Sequence, residues 1–131
     1  MPLTREQILN ADDLPTEVVN VPQWGGSVLI RTLSGAERDA FEASILRSNK
    51  KGKQDMNMEN LRARLVALCI VDEQGNRLFN KDDIQALGKK SALALALVFT
   101  AAQELNGMGP KDVEELAGNS LDDPSDDSIS D

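Results

Sequence analysis

Asp72, Gln74, Asn76 and Asp83 stand at the first, third, fifth and twelfth positions of a stretch that superficially follows the spacing of a calcium-binding loop. A loop of that kind wraps a hard cation in oxygen ligands, with a glycine at its sixth position for the sharp turn and a long bidentate glutamate at its twelfth. Here the sixth position is Arg77 and the twelfth is the shorter Asp83, so the stretch reads as a plain turn. The carboxylate pairs Asp12–Asp13 and Asp82–Asp83 have the right groups for acid–base work, but each is read as adjacent to a helix start, where negative charge meets the positive end of the macrodipole. Capping is the role assigned to both. The chain contains no His, which removes the usual base at neutral pH and the commonest metal ligand and excludes Ser-His-Asp and Cys-His catalysis. Cys69 is the single cysteine and sits in the apolar run Leu65 to Val71, where it reads as an inert core thiol. A cysteine-based zinc site needs several such ligands. No phosphate-binding loop occurs, and the Gly25-Gly26 pair is assigned to a turn needing positive φ. Catalytic, cofactor-binding and metal-ligating sets are all read as absent, and the chain is expected not to be an enzyme.

Totals narrow the class further. The 131 residues suffice for one domain with a modest core, and with only 3% aromatic residues the core volume must come from Leu, Ile, Val and Ala. That composition favours packed helices. The formal charge of −8 speaks against nucleic acid or an anionic membrane as a partner. Five aspartates (Asp122, Asp123, Asp126, Asp127 and Asp131) lie in the last twelve residues, leaving fourteen basic against seventeen acidic side chains, or −3, on the remainder. No apolar window is long enough to span a membrane, and there is no signal-peptide core.

The elements that would carry any function follow from capping and periodicity. Thr4 and Gln7 form a capping box for a short helix over about 5–10. Residues 16–21 and 27–33 are β-branched and flank a Pro-Gln-Trp-Gly-Gly link, which predicts an antiparallel hairpin over about 16–33. Val28, Ile30 and Thr32 share one face of its second strand. Ser34 and Glu37 form a capping box for a helix over 35–47 that buries Phe41 and Ile45 and turns Arg38, Asp39 and Glu42 outward. Ser48 to Asp55 has no apolar residue, and a mobile linker is expected at about 48–58. A helix over 58–71 then buries Leu61, Leu65 and Leu68 and leaves Arg62 and Arg64 solvated. Gln74-Gly75-Asn76 marks a turn, Leu78-Phe79 an extended return, and Asn80 the cap of a short helix ended by Gly88. The strongest helix spans 91–106. Its residues Ala92 to Phe99 carry no polar side chain in eight positions, so it is either the central helix of the domain or shares one side with another chain. Asn106-Gly107 stops it, and Pro110 opens a last short helix through Leu116.

Three phrases point to a family: Trp24 to Arg38, the opening Leu3-Thr4-Arg5-Glu6-Gln7-Ile8-Leu9, and the turn from Asp72 to Phe79. Together they resemble the tail assembly chaperones of long-tailed, siphovirus-type bacteriophages. The resemblance implies a late protein of the host cell cytoplasm that coats the tape measure protein and helps deliver tail tube subunits, and that is absent from the mature virion. It also implies a second, C-terminally extended form made by ribosomal frameshifting, beside which this chain looks like the short form. The alternative is an acidic regulatory or inhibitory protein that imitates nucleic acid, though such a mimic should carry its charge on a folded face.

The overall expectation is a mainly α protein with a small N-terminal β-hairpin, an α+β arrangement. Residues 1–117 form one helical domain and 118–131 a disordered acidic tail. Leu93, Leu97, Val98 and Trp24 are the candidates for a self-association or partner surface, and a homo-oligomer is expected. The basic 48–55 segment and the acidic tail are open to ordering on a partner or to charge pairing between subunits. Because the tail offers almost no apolar surface to offset the entropy of ordering it, removing residues 119–131 is expected to leave helicity and thermal midpoint nearly unchanged. A fall of several degrees in a melting experiment would show that Leu121 or Ile129 docks on the body.

Overall fold

The computed structural model describes residues 1–48 and 54–108. The expected tail, the helix opened by Pro110 and the centre of the expected linker at 49–53 lie outside the described residues. Chain order is α1 (Arg5–Leu9), β1 (Thr16–Val21), β2 (Gly26–Arg31), α2 (Gly35–Ile45), β3 (Leu46–Ser48), β4 (Gln54–Met56), α3 (Leu61–Cys69), β5 (Ile70–Val71), α4 (Ile84–Leu87) and α5 (Ala92–Leu105). The mainly α fold with an N-terminal hairpin is therefore the observed one.

β1 and β2 pair antiparallel from Thr16 opposite Arg31 to Val21 opposite Gly26. A 3-10 turn at Pro22–Trp24 joins them, and Gly25 at φ 77° supplies the left-handed residue that closes it. Val19, Val21 and Ile30 face the core, while Val18 on the opposite pleat is 66% exposed. α5 lies across this hairpin and against α3, so its buried side meets both layers.

Two helices end sooner than their apolar patterns suggest. α3 stops at Cys69, and Ile70–Val71 become a strand that pairs with Leu29 and Ile30 of β2, giving a three-stranded sheet in the order β1-β2-β5. The run Leu65 to Val71 is buried throughout except for half-buried Leu68, so hydrophobic pattern alone does not mark the switch, whereas two β-branched residues beside an open β2 edge favour it. α3 also starts late: Asn60 sits at φ 52°, outside the helical region, and Gly88 comes so close that a Cβ there would lie 2.3 Å from the Asn60 side-chain oxygen. α2 ends at Ile45, and Leu46–Ser48 pairs with Gln54–Met56, which places a short ladder at the base of the expected linker.

Arg64 corrects the solvated assignment. Its guanidinium donates to the Ser44 carbonyl at 2.7 Å, to Ser44 Oγ at 2.8 Å and to the Asn57 carbonyl, fastening α3 to the end of α2. Arg38 likewise turns inward enough to donate to the Asn106 carbonyl at 3.3 Å as well as to Glu42.

Glu37 closes the junction between β2 and α2. It completes the Ser34 capping box, accepting the Ser34 N–H at 2.8 Å, and its Oε2 takes Arg77 Nη2 at 2.7 Å and Arg31 Nη2 at 3.3 Å. Burial alone pushes its pKa up. The Ser34 amide, Arg77 and Arg31 together outweigh that and hold the carboxyl below its ordinary 4.5. A depressed folded pKa contributes stability that is complete above the unfolded value and is lost as pH falls through the folded one. Glu37→Gln is expected to cost about 1–2 kcal/mol at pH 7. In urea titrations the gap between wild type and variant should narrow as pH drops below 4.5; an unchanged gap would sever the link to the carboxylate.

Candidate functional site

The calcium-like stretch is a turn built on itself. Asp72 Oδ1 accepts the N–H groups of Gln74 and Asn76 at 2.8 and 2.9 Å, Gly75 takes φ 86°, and Arg77 leaves the loop to reach Glu37. Asp83 belongs to a different device: its Oδ2 accepts the Asn80 N–H at 2.9 Å, and Asn80 in turn caps the turn at Lys81–Asp83. Among the described residues no three His, Cys, Asp or Glu side chains gather around a common point. Asp83 thus completes the cap of a helix start, and Asp82 lies in the same first turn. Asp12–Asp13 caps no helix start, because it follows the C-terminus of α1 and precedes a strand, with both side chains exposed. Cys69 is fully buried, and desolvation pushes its thiol pKa up to about 12 despite a weak contact from Asn106 Nδ2, so no thiolate is available near neutral pH.

The four candidate interface residues separate into distinct environments. Ser91 caps α5 by accepting the Ala94 N–H at 3.2 Å, and the helix then divides by angle. Ala94, Leu95, Val98 and Ala102 are buried, and Val98 has no exposure at all. Leu93 and Leu97, one turn apart, are 71% and 42% exposed. The eight apolar positions therefore combine a core stripe with an uncovered outer stripe. Val98 is available to no partner on the folded chain. Trp24 is half-buried at the hairpin tip, where with Phe79, Leu87 and Lys90 it lines a shallow cleft of about 530 Å³ near the start of α5. Its indole N–H is enclosed and meets no acceptor.

A second uncovered apolar set was not singled out from the sequence. α1 has no buried residue, and Leu3, Ile8 and Leu9 are 67%, 55% and 64% exposed. The helix nevertheless has a complete capping box, with Thr4 Oγ1 accepting from Gln7 at 3.2 Å and Gln7 Oε1 accepting from Thr4 at 2.9 Å. A single helical turn in water is marginal without tertiary cover. Adjacent positions on α5 should respond differently to an introduced charge. Val98→Asp should unfold the protein, whereas Leu97→Asp should keep the circular dichroism spectrum and shift the thermal midpoint by no more than a few degrees. Equal damage from both would place Leu97 in the core.

The sequence pattern of phage tail assembly chaperones matches residues 4–119, from the N-cap of α1 to beyond the end of α5. No curated protein sequence matches the chain. Among solved structures, that of the bacteriophage HK97 tail assembly chaperone is similar, with a TM-score of 0.53 at 18% identity over 79% of this chain and 94% of that one. At this identity the likeness speaks for a shared fold. With hairpin, capped helices and outer apolar faces set within a pattern that spans nearly all described residues, the chain belongs to the phage tail assembly chaperone family.

Proposed function

We propose that the protein acts in the host cell cytoplasm during tail morphogenesis, where it binds the tape measure protein, helps recruit tail tube subunits and leaves before the virion is complete. Family membership carries this reading. The outer stripe of α5 supports it, because Leu93 and Leu97 offer apolar cover to an otherwise exposed helical client while the core remains closed beneath them. Self-association belongs to the same proposal: a small body gains stability from covering these faces, and several copies along one long client would add their weak contacts. A frameshifted longer form of the same chain would bring the tube-binding part.

Affinity capture of the full chain from induced cells, followed by mass spectrometry, tests the reading. The tape measure and tail tube proteins should be recovered, together with peptides joining this body to an alternative frame. Co-expression should keep the tape measure protein in the soluble fraction, and Leu93→Asp/Leu97→Asp should reduce both effects about tenfold or more. Recovery of neither tail protein by a well-folded chain would sink the chaperone assignment. Failure to find frame-joined peptides would remove only the longer form.

A further inference from the structure

We propose that the cleft between α2, α3 and the 77–84 return is a docking site for an acidic segment of a protein partner, which inserts one bulky apolar side chain there. The proposal goes beyond the client role above and uses none of its surface, since no residue of α5 lines this cleft.

The lining is apolar where it is deep. Phe41 and Ala67 are buried, and Leu68, Phe79 and Ile84 are half-buried around them. The cleft measures about 370 Å³. That is near the lower end of the roughly 300–1,000 Å³ found for ligand sites, so it admits a side chain or two and not the face of a helix.

The charge around it has one sign. No Asp or Glu lines the cleft, whereas Arg64, Arg77 and Lys81 do. Arg64 is engaged by Ser44 and Asn57. Arg77 shares the Glu37 carboxylate with Arg31, so two guanidinium groups meet one carboxylate and one positive charge is left over. Lys81 is exposed and, among the described residues, enters no ion pair. Its neighbours Asp82 and Asp83 do not line this cleft; Asp83 accepts the Asn80 N–H and lines the cleft beside Trp24 instead. On a chain of formal charge −8, an apolar cleft with surplus positive charge at its rim is complementary to a segment in which an apolar residue stands between carboxylates. Burial of that residue supplies affinity, and the carboxylates select against basic segments.

Anisotropy titration of the full chain with a fluorescein-labelled synthetic peptide, one leucine between two pairs of aspartates, tests the site. Replacing the peptide's leucine by serine should weaken binding about tenfold or more, and replacing its aspartates by lysines should abolish it. Lys81→Glu alters no buried residue and should weaken binding about threefold at low salt, a loss that shrinks as salt is raised. Ala40→Trp brings a bulky ring into the cleft from an exposed position on α2 and should erase the preference for leucine, with the circular dichroism spectrum unchanged. Wild type that does not distinguish leucine from serine overturns the proposal, as does full-strength binding by Lys81→Glu or a leucine preference that survives Ala40→Trp. A leucine preference seen only in Leu121→Ser/Ile129→Ser overturns it too, because the occupant is then the acidic end of this chain and not a partner.

Discussion

The fold depends on how the chain turns from β2 into α2 within residues 31–38. Two polar side chains satisfy that corner. Glu37 takes the Ser34 amide and the guanidinium groups of Arg31 and Arg77, so the end of β2, the first turn of α2 and the 72–77 turn share one carboxylate. Asn106 does the same from the other side: its Oδ1 accepts the Leu33 N–H at 2.7 Å and its Nδ2 donates to the Ala102 carbonyl at 2.8 Å, while its own carbonyl receives Arg38. The C-terminus of α5 is thereby held to the strand it covers. The described core contains no buried polar or charged residue, so these rim contacts supply geometric direction that apolar packing lacks.

Local signals were legible where caps and turns determine structure. The boxes at Thr4 and Ser34, the Asn80 cap and the glycines at 25 and 75 all specify backbone within four residues, and each forms as its sequence suggests. What could not be read depends on distant partners. Ile70–Val71 becomes a strand because β2 offers it an edge, and Asn60 leaves the helix where Gly88 approaches it. Arg64 looks like any solvent-facing arginine until the end of α2 presents the Ser44 carbonyl to it. Apolar pattern places such residues in the interior without stating which element they will join.

The candidate surface was legible to the same depth. Ala92 to Phe99 marks α5 as apolar all round, but about 100° of rotation per residue decides that Val98 enters the core and Leu97 leaves it, and that angle is set by the hairpin and α3. The opening helix α1 was harder to judge. A capped, amphipathic turn has the same sequence whether its cover lies in its own chain or in another, so the exposure of Ile8 and Leu9 emerges only once the rest of the chain is placed. Asp12–Asp13 was misassigned for the same reason: a carboxylate pair beside a helix says little until one knows which end of the helix it adjoins.

Placement also separates folding from association. Val98, Leu95 and Ala102 close the core, while Leu93, Leu97 and α1 contribute almost nothing to it. Substitutions on the outer stripe can therefore alter association without altering the fold. The outer stripe of α5 offers only a few apolar side chains, so the proposed client contact on it would be small. Such a contact would be weak for a single copy and would become effective where many copies line one long client, because each further docking then occurs at high local concentration. For the proposed role, in which the protein leaves before the virion is complete, many small contacts would serve better than one large interface, since losing the client alone would return every Leu93 and Leu97 to water.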